Sequence, residues 1–145
     1  MDLPNFTDIL LVEHDPREAE LTKAAVLRSR LTDKVHWVKD GNEALHFIFG
    51  TDKYLGRNIA ILPRIIILDL NIPEGWGIEV LRILRGNPIT NKIVVITFSG
   101  SEENEVLSEA IKAGVNICLF KSSDFAEFAE KLNRELGYFW QLFKK

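Results

Sequence analysis

The chain has 145 residues, the length of one ordinary domain, and its 46% hydrophobic and 27% charged residues exclude disorder and fibrous repeats. Lys and Arg total 18 against 21 for Asp and Glu, a formal net charge of −3, without the basic surplus of a general nucleic-acid binder. Cys118 is the only cysteine, so neither an internal disulfide nor a multi-cysteine metal knot can form.

Short apolar runs alternate with longer amphipathic ones, five times over. Asp8-Ile-Leu-Leu-Val-Glu13 is a continuous apolar run ending in acid, short enough for a strand buried on both faces. Pro16 suits a first helical position and opens a stretch with Leu21, Ala24, Ala25 and Arg28 at helical spacing. Val35-His-Trp-Val38 predicts a second strand, and Gly41 to Phe49 a second helix closed by Gly50. Residues 51–63, with Gly56, Asn58 and Pro63, read as a surface loop. Arg64-Ile-Ile-Ile-Leu-Asp69 is the clearest buried strand, followed by a helix over Ile78 to Arg85 between Gly77 and Gly86-Asn87-Pro88. Ile93-Val-Val-Ile-Thr97 predicts the fourth strand, and Glu102 to Ala113 the fourth helix with Gly114 at its end. Ile117-Cys-Leu-Phe120 is the fifth strand, and the last helix runs from about Asp124 to the C-terminus.

Five strand–helix units in 145 residues average about 29 residues each, the size of a βα repeat in a parallel sheet. The expectation is one α/β domain over residues 1–145, a doubly wound five-stranded parallel sheet with five helices. Met1 to Asn5 lack the basic and apolar regions of a signal peptide, and no apolar stretch approaches the roughly 18 residues that span a bilayer. A cytoplasmic protein with no membrane or nucleic-acid partner is therefore expected.

Ligands of open α/β sheets collect outside the carboxyl ends of the strands, where strand order reverses. Those ends carry Glu13-His14-Asp15, Asp69-Leu70-Asn71, Thr97-Phe98-Ser99 and Phe120-Lys121-Ser122. Singly, each has a bland reading, such as a structural Asp69–Lys121 ion pair or a Thr97 hydroxyl on a backbone group. Together on one rim they fit phosphoryl transfer to a carboxylate. Asp69 is the candidate nucleophile, Lys121 the ammonium that shares phosphoryl charge, and Thr97 a hydroxyl donor to a phosphoryl oxygen. Carboxylates near Asp69 would hold Mg²⁺ through oxygen ligands and water.

Ile-Leu-Leu-Val-Glu13, Ile-Ile-Ile-Leu-Asp69-Leu-Asn71-Ile-Pro73 with Gly77, Val-Val-Ile-Thr97 and Leu-Phe-Lys121 resemble the receiver domain of two-component response regulators, over almost the whole chain. The resemblance implies a flavodoxin-like sheet of order 2-1-3-4-5 and no output domain. It implies Asp69 as phosphoacceptor, Thr97 and Lys121 as switch hydroxyl and phosphate-binding lysine, and a histidine kinase as partner. It implies Mg²⁺ held by Glu13, Asp69 and the carbonyl of Asn71, with Asp15 a further candidate that equally suits capping the first helix. More narrowly, Asn87-Pro88, the long loop before the third strand, Lys121-Ser122 and Gly-Tyr-Phe-Trp140 are similar to stand-alone regulators paired with cyanobacterial phytochromes.

Four positions depart from the family pattern. His14 stands where a second acid usually ligates the metal, and imidazole is a poor ligand for Mg²⁺. Phe98 replaces a small residue and is expected to crowd the phosphoryl pocket. Cys118, expected as a small buried hydrophobe, replaces the switch aromatic, and Ser122 replaces a proline. A pseudo-receiver that binds a partner without phosphate is the alternative. An aspartate-dependent phosphohydrolase is disfavoured by Asn71, which stands where such enzymes carry a second Asp, and by the lack of length for a cap domain. No P-loop or dinucleotide fingerprint is present.

The last helix carries Phe125, Phe128, Ala129, Leu132, Leu136, Phe139, Trp140 and Phe143 on one broad stripe. Its first half reads as a cover for the sheet. The tail after Gly137 holds more aromatic area than one sheet edge needs, so a homodimer through this helix is expected. His36 and His46 read as ordinary strand and helix residues, Trp76 as a residue near enough to report on the site, and Glu102 to Glu105 as acid favoured at a helix start.

Overall fold

A computed structural model describes residues 4–71, 76–100 and 104–143. β1 (Ile9–Val12) is buried along its whole length, and β3 (Ile65–Asp69) likewise. Such strands have no polar face to offer water, so they occupy the middle of a sheet covered on both sides. The sheet is parallel throughout, with order β2-β1-β3-β4-β5, where β2 is Val35–Val38, β4 Val94–Ser99 and β5 Ile117–Phe120. Five helices cover it, α1 (Pro16–Arg28), α2 (Gly41–Phe49), α3 (Trp76–Gly86), α4 (Asn104–Ala113) and α5 (Phe125–Trp140). The flavodoxin-like architecture read from the residues is the one observed.

Alternation along the strands divides the core in two. Ile9, Leu11, Ile65, Ile67 and Ile96 pack with Ala25, Val26 and the inner stripe of α5. Leu10, Val12, Ile66, Leu68 and Val95 pack on the other face with Phe47, Ile48, Val80, Leu81 and Leu84. The chain leaves β1 for the β2 edge and returns to β3 on β1's other side. That reversal opens a crevice beyond the carboxyl ends of β1 and β3.

Boundaries follow local chemistry. Asp15, Asp40 and Asp124 cap α1, α2 and α5, each accepting a bond from a backbone N–H of its helix's first turn. Gly50 ends α2 at φ 66, and a Cβ there would meet Ile59 Cγ2 at 2.6 Å. Helix α3 begins at Trp76, two residues before the predicted Ile78, whereas Pro73 and Glu102–Glu103 lie outside the described residues. No helix among the described residues is long and apolar enough to cross a membrane.

Three expectations need correction. Residues 51–63 are more than a surface loop, because a short 3-10 turn (Asp52–Tyr54) buries Tyr54 and the loop then buries Arg57. The Arg57 guanidinium donates to the carbonyls of Phe47, Ile48 and Ile61 and lies 4.3 Å over the Phe47 ring. It thus satisfies the open end of α2. Cys118 is half-buried rather than sealed in the core. Finally, the aromatic tail serves the chain's own core. Phe139 and Trp140 are buried against α1 and the sheet, α5 passes into a 3-10 turn (Gln141–Phe143), and Arg64 lies over the rings of Trp140 and Phe143. Tyr138 and Leu142 are the large apolar side chains left exposed after Gly137 among the described residues, so the apolar area available to a partner copy there is theirs.

Arg57→Ala should lower the unfolding free energy by about 3 kcal/mol in urea denaturation, since it strands two buried carbonyls and a third that is partly buried. A loss below about 0.5 kcal/mol would show that the loop is not an anchor.

Candidate functional site

The rim of the crevice is built from backbone geometry outward. β1 delivers Glu13 one residue past its end, where the Glu13 backbone N–H still donates to the carbonyl of Val38. The Glu13 side chain is thereby turned inward, and the residue is only 2% exposed. Trp37 fixes the same point from the edge strand, its indole N–H donating to the Glu13 carbonyl at 2.7 Å. Sequence reasoning passed over Trp37; its signal was an indole in a short edge strand, one position before the strand's last residue.

Asp69 is the last residue of β3, in register with Phe98 of β4, and is 3% exposed. Its Oδ1 accepts the backbone N–H of Asn71 at 2.9 Å, and its Oδ2 faces Lys121 Nζ at 3.3 Å. Lys121 also reaches Glu13 Oε1 at 3.3 Å and Glu18 Oε2 at 3.7 Å. One ammonium therefore serves two buried carboxylates and a third at the surface. Burial alone would lower the Lys121 pKa, but the carboxylates of Asp69, Glu13 and Glu18 together raise it. Glu13 is pushed up to about 7, first by burial, then by its hydrogen bond with Asp69 and by that neighbour's charge.

His14 is exposed, and its Nδ1 lies 3.5 Å from Glu13 Oε2. Glu13, His14 and Asp69 each present one donor atom within 4.8 Å of the others. Asp15, the further metal candidate, is not brought into this group. Its carboxylate caps α1 on the N–H of Arg17, while its own N–H donates to Glu13 Oε2.

β4 runs two residues past its predicted end, to Ser99, and carries both Thr97 and Ser99. Leu70 N–H donates to the Phe98 carbonyl, and Lys121 N–H donates to the Ser99 carbonyl, so pairing continues to Ser99. Thr97 lies opposite Leu68, one step below Asp69, fully buried, with its hydroxyl 3.4 Å from the Ile117 carbonyl. Ser99 is buried as well, at 1% exposed, and Gly100 follows it, whose missing Cβ would lie 3.1 Å from Asn71 Nδ2. The Phe98 ring turns into the core, 4.9 Å from the ring of Phe128.

Comparison with known proteins supplies the family. The response regulator receiver domain profile matches residues 9–133. The chain belongs to that family. Among its relatives is the "Probable methanogenesis regulatory protein FilR2" of Methanothrix harundinacea, 30% identical over 91% of this chain and 82% of that one. Response regulator Rcp1 of Synechocystis sp. is 27% identical over 91% of this chain and 87% of that one. A crystal structure of the Mn(2+)-bound form of Rcp1 matches with TM-score 0.79 and 26% identity over 94% of this chain and 96% of that one. The phosphorylated cyanobacterial phytochrome response regulator RcpA matches with TM-score 0.83 and 25% identity, covering 94% and 95% of the two chains. The receiver domain described here is thus related to phytochrome response regulators, as its residues suggested.

Receiver domains bind Mg²⁺ or Mn²⁺ in an acidic pocket, and the donors of this one fit a divalent ion. Bonds of about 2.0–2.2 Å place ligand atoms roughly 3–4.4 Å apart, a few tenths of an ångström inside the present spacing.

A pH dependence follows, with a definite sign. The folded receiver domain holds a Glu13 proton up to about pH 7, whereas the unfolded chain releases it near 4.5. Folding stability should therefore be highest below 4.5 for this group and fall as pH rises towards 7, by at most about 3 kcal/mol. Urea denaturation across that range should show the fall in wild type and not in Glu13→Gln. Equal slopes in the two proteins would refute the assignment.

Proposed function

We propose that this receiver domain accepts a phosphoryl group on Asp69 from a histidine kinase, within a relay that begins at a phytochrome. The single observation carrying the proposal is the Asp69 carboxylate at the crevice, 3.3 Å from the Lys121 ammonium and hydrogen-bonded to Asn71. An Asp69 oxygen attacks the phosphorus of a phosphohistidine, the P–N bond breaks, and the ring nitrogen keeps the electron pair. An acyl phosphate and a free histidine result.

The Asn71 N–H holds Asp69 Oδ1, which orients the carboxylate for in-line attack. Lys121 shares the charge of the phosphoryl oxygens, relieved of its partner as Asp69 becomes esterified. The hydroxyl donor comes from the end of β4, where Thr97 and Ser99 are both buried. Glu13, Asp69 and the Asn71 carbonyl would hold a divalent cation, which would supply charge neutralisation on the same oxygens. The phosphoryl group then shifts the population between two conformers of the surface, and a docking partner reads the shift. Kinship with phytochrome response regulators supports the choice of kinase.

Incubation with acetyl phosphate and Mg²⁺ or Mn²⁺ should add the mass of one phosphoryl group, absent in Asp69→Asn. Removing the hydroxyl that meets the phosphoryl group, in Thr97→Val or Ser99→Ala, should slow the labelling about tenfold or more. An unmodified wild-type mass with either cation would favour a pseudo-receiver instead.

A further inference from the structure

The acidic group of this crevice differs from an all-oxygen site in one respect, the imidazole of His14. Its ring stands beside the two buried carboxylates, and among the described residues its one polar contact is with Glu13 Oε2 at 3.5 Å. Each carboxylate already turns one oxygen to Lys121, Oε1 of Glu13 and Oδ2 of Asp69. The remaining face of Glu13, its Oε2, is the one that looks towards His14. One nitrogen and two carboxylates therefore converge within 4.8 Å.

Resting on the phosphoacceptor reading above, we propose that this is a mixed nitrogen–oxygen metal centre with His14 Nδ1 as a direct ligand. It binds a borderline transition-metal ion of the Co²⁺ or Zn²⁺ kind in strong preference to Mg²⁺. Two effects act in the same direction. Mg²⁺ demands hard oxygen ligands and sheds its water reluctantly, so exchanging a carboxylate for imidazole removes both charge and a preferred donor. Imidazole suits Co²⁺, Ni²⁺ and Zn²⁺, whose affinities for nitrogen donors exceed that of Mn²⁺ in the usual order. His14 is the position at which metal selectivity is set.

The geometry requires only a small adjustment. At 3.5 Å, Nδ1 and Glu13 Oε2 already lie close to the edge, about 3.4 Å, of a coordination tetrahedron with bonds of about 2.1 Å. His14 has an exposed side chain, so its substitution leaves the fold intact. His36 and His46 do not compete for the role. His36 Nε2 is hydrogen-bonded to the Tyr54 hydroxyl and His46 Nδ1 to the Thr51 hydroxyl, both away from the crevice.

Calorimetric titration of the full chain with Co²⁺ alone and with Mg²⁺ alone tests the proposal, with the visible ligand-field spectrum of bound Co²⁺ as a second readout. Co²⁺ should bind at least about a hundredfold more tightly than Mg²⁺. His14→Ala should weaken Co²⁺ about tenfold or more and change its spectrum, while altering Mg²⁺ affinity less than about threefold. His14→Asp should tighten Mg²⁺ about tenfold and narrow the preference. An unchanged Co²⁺ affinity and spectrum in His14→Ala would overturn the proposal. So would undiminished Co²⁺ binding in Asp69→Asn, which would locate the ion elsewhere. Failure of acetyl phosphate labelling with the His14 dependence intact would remove the phosphoacceptor reading alone.

Discussion

Two carboxylates at the ends of neighbouring strands, almost out of contact with water, share one ammonium. Glu13 and Asp69 meet because β1 and β3 are adjacent and parallel, and Lys121 reaches both from beyond β5. Burial makes each charge costly, and a single lysine leaves the group one positive charge short. The crevice answers that deficit with a proton on Glu13, a bound cation, or a rearrangement of Lys121. A site that must choose among these responds readily to an incoming phosphoryl group. The sheet, its helices and the caps hold these atoms together against their mutual repulsion.

The fold was legible because its signals are local and redundant. Ile9–Val12 and Ile65–Asp69 are apolar on both faces, which parallel sheets require, and glycine, proline and aspartate punctuate the helix ends. What escaped notice depends on contacts remote in sequence. Arg57 looks like a loop cation, and only the open end of α2 explains its burial. Phe139, Trp140 and Phe143 look surplus until α1 and Arg64 are seen to cover them.

The site was legible in its charged members and blurred in its uncharged ones. Asp69, Lys121 and Glu13 end apolar runs, where ionic groups are conspicuous. The end of β4 is ambiguous because Thr97-Phe98-Ser99 offers two hydroxyls around an aromatic ring, and apolar patterning does not say where strand pairing stops. Backbone bonds from Leu70 and Lys121 settle that pairing extends to Ser99. Asp15 was equally suited to metal binding and to capping, and the cap prevailed because its carboxylate is adjacent in sequence to the N–H groups it satisfies. His14, read as a defect in a magnesium site, becomes the distinguishing donor once its ring is seen beside the acids.

Beryllofluoride, a stable mimic of a phosphoryl group, tests the central claim most directly when followed by ¹⁹F NMR with a divalent cation present. The account predicts protein-bound fluorine resonances in the wild-type chain that vanish in Asp69→Asn and weaken in Lys121→Ala. Spectra showing only free fluoride species, or bound resonances that persist without the Asp69 carboxylate, would contradict it.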